Sequence, residues 1–568
     1  MRNLRVLSRL ITLLSIALVM AGLLCLPDIA YHWWNPDYQA RLNTKDFFAM
    51  WTGAVLLLGL NNPIIFLAFL AFVATLQLAQ FLHIAYFGTL IAPHEVVFLF
   101  REWDEIWLTI AAIVPYFARP LLTVLACSGL LWLLWRYSRN RTPRIPFAPI
   151  ILLLLLAIMP CSAYLSQKSQ RFYPNPKASA TRNTYYAFSW FIGSSLRGEH
   201  QESWPTFKPY RVMRLPDAAL PSIVVIMGES LTWKHMGLFG YKRDTTPWLS
   251  SQKNLADFVF HRAIAGGVDT KTVLPTFFNI QREPGNMAHL LRYESNLFKM
   301  AKERGLGTHY LSAQTANLST YSGSEFADRF VTQEEMSAAY ERDKDFVLLE
   351  KLASTVWSRP QFIVLHQRNS HAPYEQSSLP AFDRWPVGDK ADRHTYVVNT
   401  YDNSIRMTDE LIRLIVDMLI TRSTGPVYVF VTSDHGEMMG ENSRYGHFLL
   451  EADVVHVPFL FFALRGDPEV VSRIRRLHAP THYDIGLEIA RLLGYTIENP
   501  NATPGRYYVN GPDLGGGMGC MALDKDTKAE YGWRLVDDDP LCKAKLKYSL
   551  GLRACLRLQD TTLGEPFP

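Results

Sequence analysis

Along the chain the hydrophobic rhythm changes once, near residue 165. Before that point apolar residues run in long blocks, at 10–27, 47–60, 63–87, 106–135 and 147–165. The second block is short, and only Asn61-Asn62-Pro63 separates it from the third, which predicts a tight helical hairpin. Pro115 and Arg119 lie near the start of the fourth, so its later part is the portion expected to cross. Crossing the hydrocarbon core takes about 20 apolar residues, and flanking residues complete the shorter blocks. The pattern therefore predicts an α-helical transmembrane domain of five spans over residues 1–165. Arg2, Arg5 and Arg9 before the first block look like a signal peptide's start, but no small-residue cleavage site follows, so an uncleaved first span is expected.

Arginines set the orientation, because positive loops stay in the cytoplasm. Arg2, Arg5 and Arg9 precede the first span, and Arg136, Arg139, Arg141 and Arg144 lie between the fourth and fifth. Five crossings put both clusters on the cytoplasmic side and everything after residue 165 outside. Trp33, Trp34, Trp103 and Trp107 at span edges suit interfacial anchoring, against the alternative of buried helices in a large soluble protein. The loops 27–45 and 88–105 are exported too. Their Glu95 and Glu102 are candidates for substrate contact, with solvated loop acids as the plain alternative.

Residues 166–220 are polar, rich in proline and patched with aromatics, as in Tyr185-Tyr186-Ala-Phe-Ser-Trp-Phe191. They read as a partly helical linker lying on the membrane surface. From residue 221 short apolar runs alternate with amphipathic stretches, which predicts an exported α/β domain with a mainly parallel sheet over 221–568. The clearest strands are 222–227, 308–311, 362–366, 427–431 and 457–463. Helices are expected at 401–419, with Ile405, Ile412, Ile415 and Leu419 on one face, and at 483–493, stopped by Gly494. The glycine-rich stretch 513–520 lacks the strand and helix that a dinucleotide cradle needs.

Composition refines this picture in three places. Charged residues are 19% of the chain against 49% hydrophobic, so the apolar content has to be concentrated in the front end. A net charge of +5 over 568 residues, with no basic run interleaved with aromatics, gives no reason to expect nucleic acid. The six cysteines include no C-x-x-C pair, which argues against a zinc ribbon or thioredoxin-like site. In an oxidising compartment, one disulfide among Cys520, Cys542 and Cys555 is expected, with its pairing open.

The chemistry collects where apolar runs end in polar residues. Val427-Tyr-Val-Phe-Val-Thr-Ser is followed by Asp434, His435 and Gly436, and Ile223-Val-Val-Ile-Met-Gly is followed by Glu229. In open α/β sheets ligands gather at the carboxyl ends of strands. Two carboxylates and an imidazole there supply the three or so protein ligands of a catalytic zinc with an open position. A turn after a core strand is the plainer reading of Asp-His-Gly, but an acid directly after a buried strand costs desolvation unless a cation pairs with it. Thr270 lies in Gly266-Gly-Val-Asp-Thr-Lys-Thr-Val-Leu-Pro275, and a hydroxyl beside a metal is an activated nucleophile. Thr272 and Ser230 are its competitors. His371, in His366-Gln-Arg-Asn-Ser-His-Ala-Pro373, and His447 could bind a second metal or hydrogen-bond a phosphate.

Gly228-Glu-Ser230, Gly240-Tyr-Lys-Arg-Asp-Thr-Thr-Pro247, the threonine loop before Pro275, His366 to Pro373, Tyr401-Asp-Asn403 and Ser433-Asp-His-Gly-Glu437 with His447 occur in this order. Together they resemble the membrane-bound phosphoethanolamine transferases of the alkaline phosphatase and sulfatase superfamily, and the five-span front end matches as well. The resemblance implies Zn2+ held by Glu229, Thr270, Asp434 and His435, with Thr270 as the catalytic nucleophile. His371 and His447 occupy donor-phosphate or second-metal positions. It also implies a bacterial inner-membrane enzyme with a periplasmic catalytic domain. Phosphatidylethanolamine is the implied donor, and lipopolysaccharide core, lipid A or a periplasmic glucan the acceptor. Gly-Glu-Ser, where lipid A enzymes commonly carry Gly-Glu-Thr, and only three exported cysteines are closer to the core- or glucan-modifying branch. The rivals are a phosphoglycerol transferase using phosphatidylglycerol, a sulfatase-type hydrolase and a non-catalytic lipid-binding protein. The second lacks its Cys/Ser-x-Pro-x-Arg signature here, and the intact Glu229, Thr270, Asp434 and His435 weigh against the third.

Overall fold

The computed structural model describes residues 2–542 apart from 36–37, 39–43, 88, 94, 97–102, 166–168, 176, 198–205, 217–218, 389–391, 442–443, 515–518 and 530. Glu102 and Cys555 lie outside the described residues, as do the side chains of Trp103 and Trp107. The chain forms two compact units that divide at residue 200.

The first unit is helical: α1 (Arg2–Trp34), α2 (Thr44–Leu60), α3 (Pro63–Phe87), α4 (Trp103–Ser138), α5 (Ala148–Leu165) and α6 (Ala180–Arg197). Among the described residues four segments are long and apolar enough to cross a membrane: Val6–Trp34, Pro63–Ala85, Phe117–Ser138 and Ala148–Leu165. The expected second span is α2, whose 17 residues are at the lower end of the range that can cross, about 17–25 residues. At 1.5 Å per residue it extends about 26 Å, less than the hydrocarbon thickness of about 30 Å. Asn61 in the α2–α3 turn donates to the Arg139 carbonyl at 2.9 Å, which sets that turn beside the arginine-rich loop. The start of α6 is held by two acids, Asp28 accepting from the Ala180 N–H (2.6 Å) and Asp46 from that of Ser179 (2.8 Å).

The second unit carries a seven-stranded sheet. Its strands are β1 (Ser222–Gly228), β2 (Phe258–Ile264), β3 (Gly307–Ser312), β4 (Arg329–Val331), β5 (Gln361–His366), β6 (Val427–Ser433) and β7 (His456–Leu464). The spatial order is β2-β7-β6-β1-β5-β3-β4, and β7 alone runs against the others. All five expected strands form. The two unpredicted ones, β2 and β4, lie at the sheet's edges, where polar residues such as His261, Arg262 and Arg329 interrupt the apolar run. β1, β5, β6 and β7 are buried at every position, as continuous apolar runs demand.

Three helices matter for the site: α7 (Thr270–Phe278), α8 (Arg393–Arg422) and α9 (His482–Leu492). The helix expected over 401–419 is longer at both ends, and its N-terminal cap is Asp392, nine residues before Tyr401, whose side chain accepts from the Thr395 N–H. At α9 the cap is Thr481 in a capping box with Asp484, and Gly494 follows the helix with φ 81°. The stretch 166–220 is divided, α6 falling in the first unit while Arg211–Arg214 pairs antiparallel with Tyr495–Glu498 in the second. Cys520 and Cys542 form the disulfide, tying the three-stranded sheet Arg506–Asn510, Cys520–Lys525 and Trp533–Leu535 to the chain that follows it.

Candidate metal centre and active site

β1 and β6 are parallel neighbours in which Gly228 pairs with Ser433. The next residue out of each strand is therefore Glu229 on one and Asp434 on the other, side by side at the carboxyl end of the sheet. Glu229, Asp434 and His435 are each 0% exposed. Behind them the chain turns against backbone: a Cβ on Gly436 would stand 2.7 Å from the Asp453 carbonyl oxygen and 2.9 Å from that of His456, so glycine is required. Ser230 takes a left-handed φ of 55°, which aims its N–H at Asp434 Oδ1 (3.0 Å) and its hydroxyl at Glu229 Oε1 (2.7 Å).

Thr270 reaches this group from α7, where it is the first helical residue after the cap Asp269. Its hydroxyl donates to Asp434 Oδ2 at 2.6 Å and lies 3.4 Å from both Glu229 Oε2 and His435 Nε2. The helix N-terminus favours negative charge on that oxygen and on an anion that approaches it. Of the competitors, Thr272 is buried two residues on in the same helical turn, and the Ser230 hydroxyl is engaged with Glu229.

His435 Nδ1 lies 2.9 Å from the Gly436 carbonyl, a contact that requires the proton on Nδ1 and leaves Nε2 as a bare lone pair. That Nε2 is 3.4 Å from Asp434 and 3.7 Å from Glu229. Burial, then the neighbouring Asp434 charge, pushes Glu229 well above the usual carboxylate range. Burial alone would raise Asp434 as well, but His435, the Thr270 hydroxyl, His366 and the Ser230 N–H hold it below its ordinary value. Two buried carboxylates this close are a site for a cation. The donor set fits a metal ion: oxygen and nitrogen atoms of Glu229, Asp434 and His435 all lie within 4.8 Å of one another.

A second set, His435, Glu437 and His447, meets the same distance limit. The His435 and His447 rings are 4.2 Å apart, and the His371 and His447 rings 6.1 Å. The structure thus brings all six expected site residues into one neighbourhood, with His435 shared between the two sets. Glu437 ends the Ser433-Asp-His-Gly-Glu437 motif, and nothing in its sequence position gives it a role. Its carboxylate accepts from His447 Nδ1 (2.8 Å) and from the Tyr374 hydroxyl (2.8 Å), and burial raises it to about 7.

Two further groups carry no local signal. Gln314, just after β3, donates to Glu229 Oε2 and accepts from Arg368 at 3.2 Å. Tyr401, on α8, donates to the Ser230 carbonyl at 2.6 Å and accepts from the Thr232 N–H at 3.0 Å, holding both sides of the loop that carries Glu229. The Gly240–Pro247 motif is absorbed by the adjacent Asp402, which accepts from His235 (2.7 Å), Tyr241 (2.9 Å) and Arg243 (2.8 Å). His366 is structural, its Nδ1 meeting the Tyr310 hydroxyl at 2.9 Å, and burial pushes it down to about 4. His482, the first residue of α9, accepts at Nδ1 from the Gly266 N–H at 3.2 Å and steadies the loop before Thr270.

The sulfatase family model matches residues 221–495. Kdo(2)-lipid A phosphoethanolamine 7''-transferase of Escherichia coli K12 is 31% identical over 233 residues, 39% of this chain and 40% of that protein. Phosphatidylethanolamine transferase Mcr-1 of Escherichia coli is 26% identical over 249 residues, 41% of this chain and 46% of that protein. The match thus spans less than half the length of these relatives. Among solved structures, the integral membrane protein lipooligosaccharide phosphoethanolamine transferase A of Neisseria meningitidis superposes with a TM-score of 0.53 at 17% identity, covering 84% of this chain and 95% of that one. The likeness in fold therefore takes in helical and α/β parts alike. Residues 221–495, with acids at adjacent strand ends and a threonine between them, match the sulfatase family model, and over part of its length the chain is similar to relatives named as phosphoethanolamine transferases.

Proposed function

We propose that this protein transfers phosphoethanolamine from phosphatidylethanolamine to a glycolipid or glycan of the bacterial envelope, from the inner membrane with its catalytic domain in the periplasm. The observation that carries the reading is the Thr270 hydroxyl, at a helix N-terminus and 2.6 Å from Asp434 amid buried acids and an imidazole. The names of the relatives support the group transferred. Zinc is the metal, with Glu229, Asp434, His435 and Thr270 as its ligands. When bound, it supplies Lewis acidity that lowers the hydroxyl's pKa and offsets charge on the phosphoryl group.

In the first half-reaction the Thr270 Oγ–P bond forms as the bond from phosphorus to the diacylglycerol oxygen breaks. The threonine proton passes to Asp434, and the departing oxygen takes one from the His371–His447 pair. In the second half an acceptor oxygen gives its proton to that pair and attacks phosphorus as the Thr270 Oγ–P bond breaks, and Thr270 recovers its own proton from Asp434. Glu437 orients His447, and Gln314 and Ser230 orient Glu229.

The test is to incubate the full chain with phosphatidylethanolamine labelled in its headgroup and map the adduct by mass spectrometry. Phosphoethanolamine on Thr270 is expected. An adduct elsewhere overturns the nucleophile, and none at all in the native sequence overturns the mechanism. Label that stays behind while phosphatidylglycerol is consumed identifies phosphoglycerol as the group moved.

A further inference from the structure

β2 lies at the edge of the sheet and runs parallel to β6 and β1, so its carboxyl end is at the same side as Glu229 and Asp434. The residues after it, 265–269, lead directly to Thr270. Alternation along the strand puts Phe258, Phe260 and Arg262 on one face. Opposite them stands the turn Gly237–Phe239, which belongs to the segment that leaves β1 through Glu229. Between the two is a cavity of about 270 Å3 lined by Leu238, Phe239, Gly240, Lys253, Phe260 and Arg262. Its two walls are continuous in sequence with Glu229 on one side and Thr270 on the other.

The lining combines two chemistries. Phe239 and Phe260 meet edge to face at 5.5 Å and form the apolar part. Lys253 lies 5.9 Å over the Phe260 ring and Arg262 4.5 Å over that of Trp233. Both cations are exposed. Among the described residues neither has a carboxylate partner. Cations parked on aromatic faces keep their hydrogen-bond donors available, and Arg presents a fork matched to phosphate or carboxylate.

We propose that this cavity binds an anionic saccharide, the phosphate or carboxylate held by Lys253 and Arg262 and the apolar face of the sugar ring against Phe239 and Phe260. It is the subsite that holds the acceptor, a statement that rests on the transferase reading; the binding itself does not. The occupant would present its sugar on a wall that leads to the nucleophile. A glycolipid headgroup and a soluble sugar phosphate share this chemistry.

The test uses the full chain in neutral detergent, with Thr270→Ala in the background so that no transfer occurs. Glucose 6-phosphate, inorganic phosphate and glucose are titrated by calorimetry, and phosphatidylglycerol micelles serve as an anionic lipid without sugar. Glucose 6-phosphate is expected to bind at least about tenfold tighter than phosphate or glucose, and Arg262→Gln or Lys253→Gln to weaken it about tenfold. Metal content, measured on the same samples, is expected to be unchanged. Equal binding of phosphate and glucose 6-phosphate, or variants that bind like the parent, overturns the site. Competition by phosphatidylglycerol at the same affinity overturns the saccharide in favour of a lipid phosphate. If glucose 6-phosphate binds as expected but the headgroup label never reaches Thr270, the transferase reading fails while the site stands.

Discussion

Replacing Tyr401 by phenylalanine removes a single oxygen from the interior and leaves the ring in place. That oxygen holds the Ser230 carbonyl at 2.6 Å and the Thr232 N–H at 3.0 Å, and the tyrosine is 0% exposed. Both backbone groups then lose their partner out of reach of solvent. An unsatisfied buried polar group costs about 1–3 kcal/mol, so the pair amounts to about 2–4 kcal/mol once the loop relaxes. The loop in question carries Glu229 and the strained φ of 55° at Ser230, which the hydrogen bonds help maintain. We therefore expect two effects: a melting temperature several degrees lower in detergent, and metal retention against a chelator weakened by about 10–100-fold, the range for groups that orient metal ligands. Tyr374, whose ring meets Tyr401 edge-on at 5.1 Å, should still pack against phenylalanine. Melting within about 1 °C of the parent together with unchanged metal retention would refute the reasoning, since the loop would then be held by something other than this hydroxyl.

Asp434→Asn and Glu229→Gln are each expected to lose bound metal, read by elemental analysis of the purified protein, whereas Thr270→Ala should keep most of the metal and lose the covalent adduct. Asp345 is buried and accepts the N–H groups of Arg368 and Asn369, fixing the loop that carries His371; burial raises it to about 7 against their pull. A raised folded pKa means that its contribution to stability is fully present below the unfolded value, 3.8, and is lost as pH rises through about 7. Denaturation of the parent and Asp345→Asn across that window should therefore show the parent losing ground as pH rises; parallel curves would rule the idea out. The Cys520–Cys542 bridge closes a loop with a sequence separation of 22, and its removal by Cys542→Ser should cost about 3 kcal/mol in chain-entropy terms, seen as a lower denaturation midpoint.

The parts of the fold that were legible are those whose signal is local. β1, β5, β6 and β7 are buried on both faces, so their apolar runs are continuous and their ends abrupt. β2 and β4 were not, because an edge strand tolerates polar residues such as the exposed Arg262 and the half-buried Arg329 that interrupt the apolar run. α2 lies at the opposite limit: its composition reads as a span, and its 17 residues are at the lower end of the range that crosses a bilayer. At the site, the expected ligands came together because each follows a strand or opens a helix. Gln314 and Tyr401 sit 85 residues from Glu229 and 171 from Ser230, with nothing nearby in sequence to mark them.

By itself the sequence determines a helical front end, an α/β domain, and which acids, imidazoles and hydroxyls stand at strand ends and helix starts, because apolar periodicity and turn residues act over a few positions. Only the tertiary structure decides that Gly228 pairs with Ser433, so that Glu229 and Asp434 emerge side by side. It alone also turns His435 Nε2 inward, shares that ring between two candidate ligand sets, and folds β2 against the turn Gly237–Phe239 to make the cavity beside them. Register and side-chain orientation depend on residues far apart along the chain, and they exist only once the sheet has closed around them.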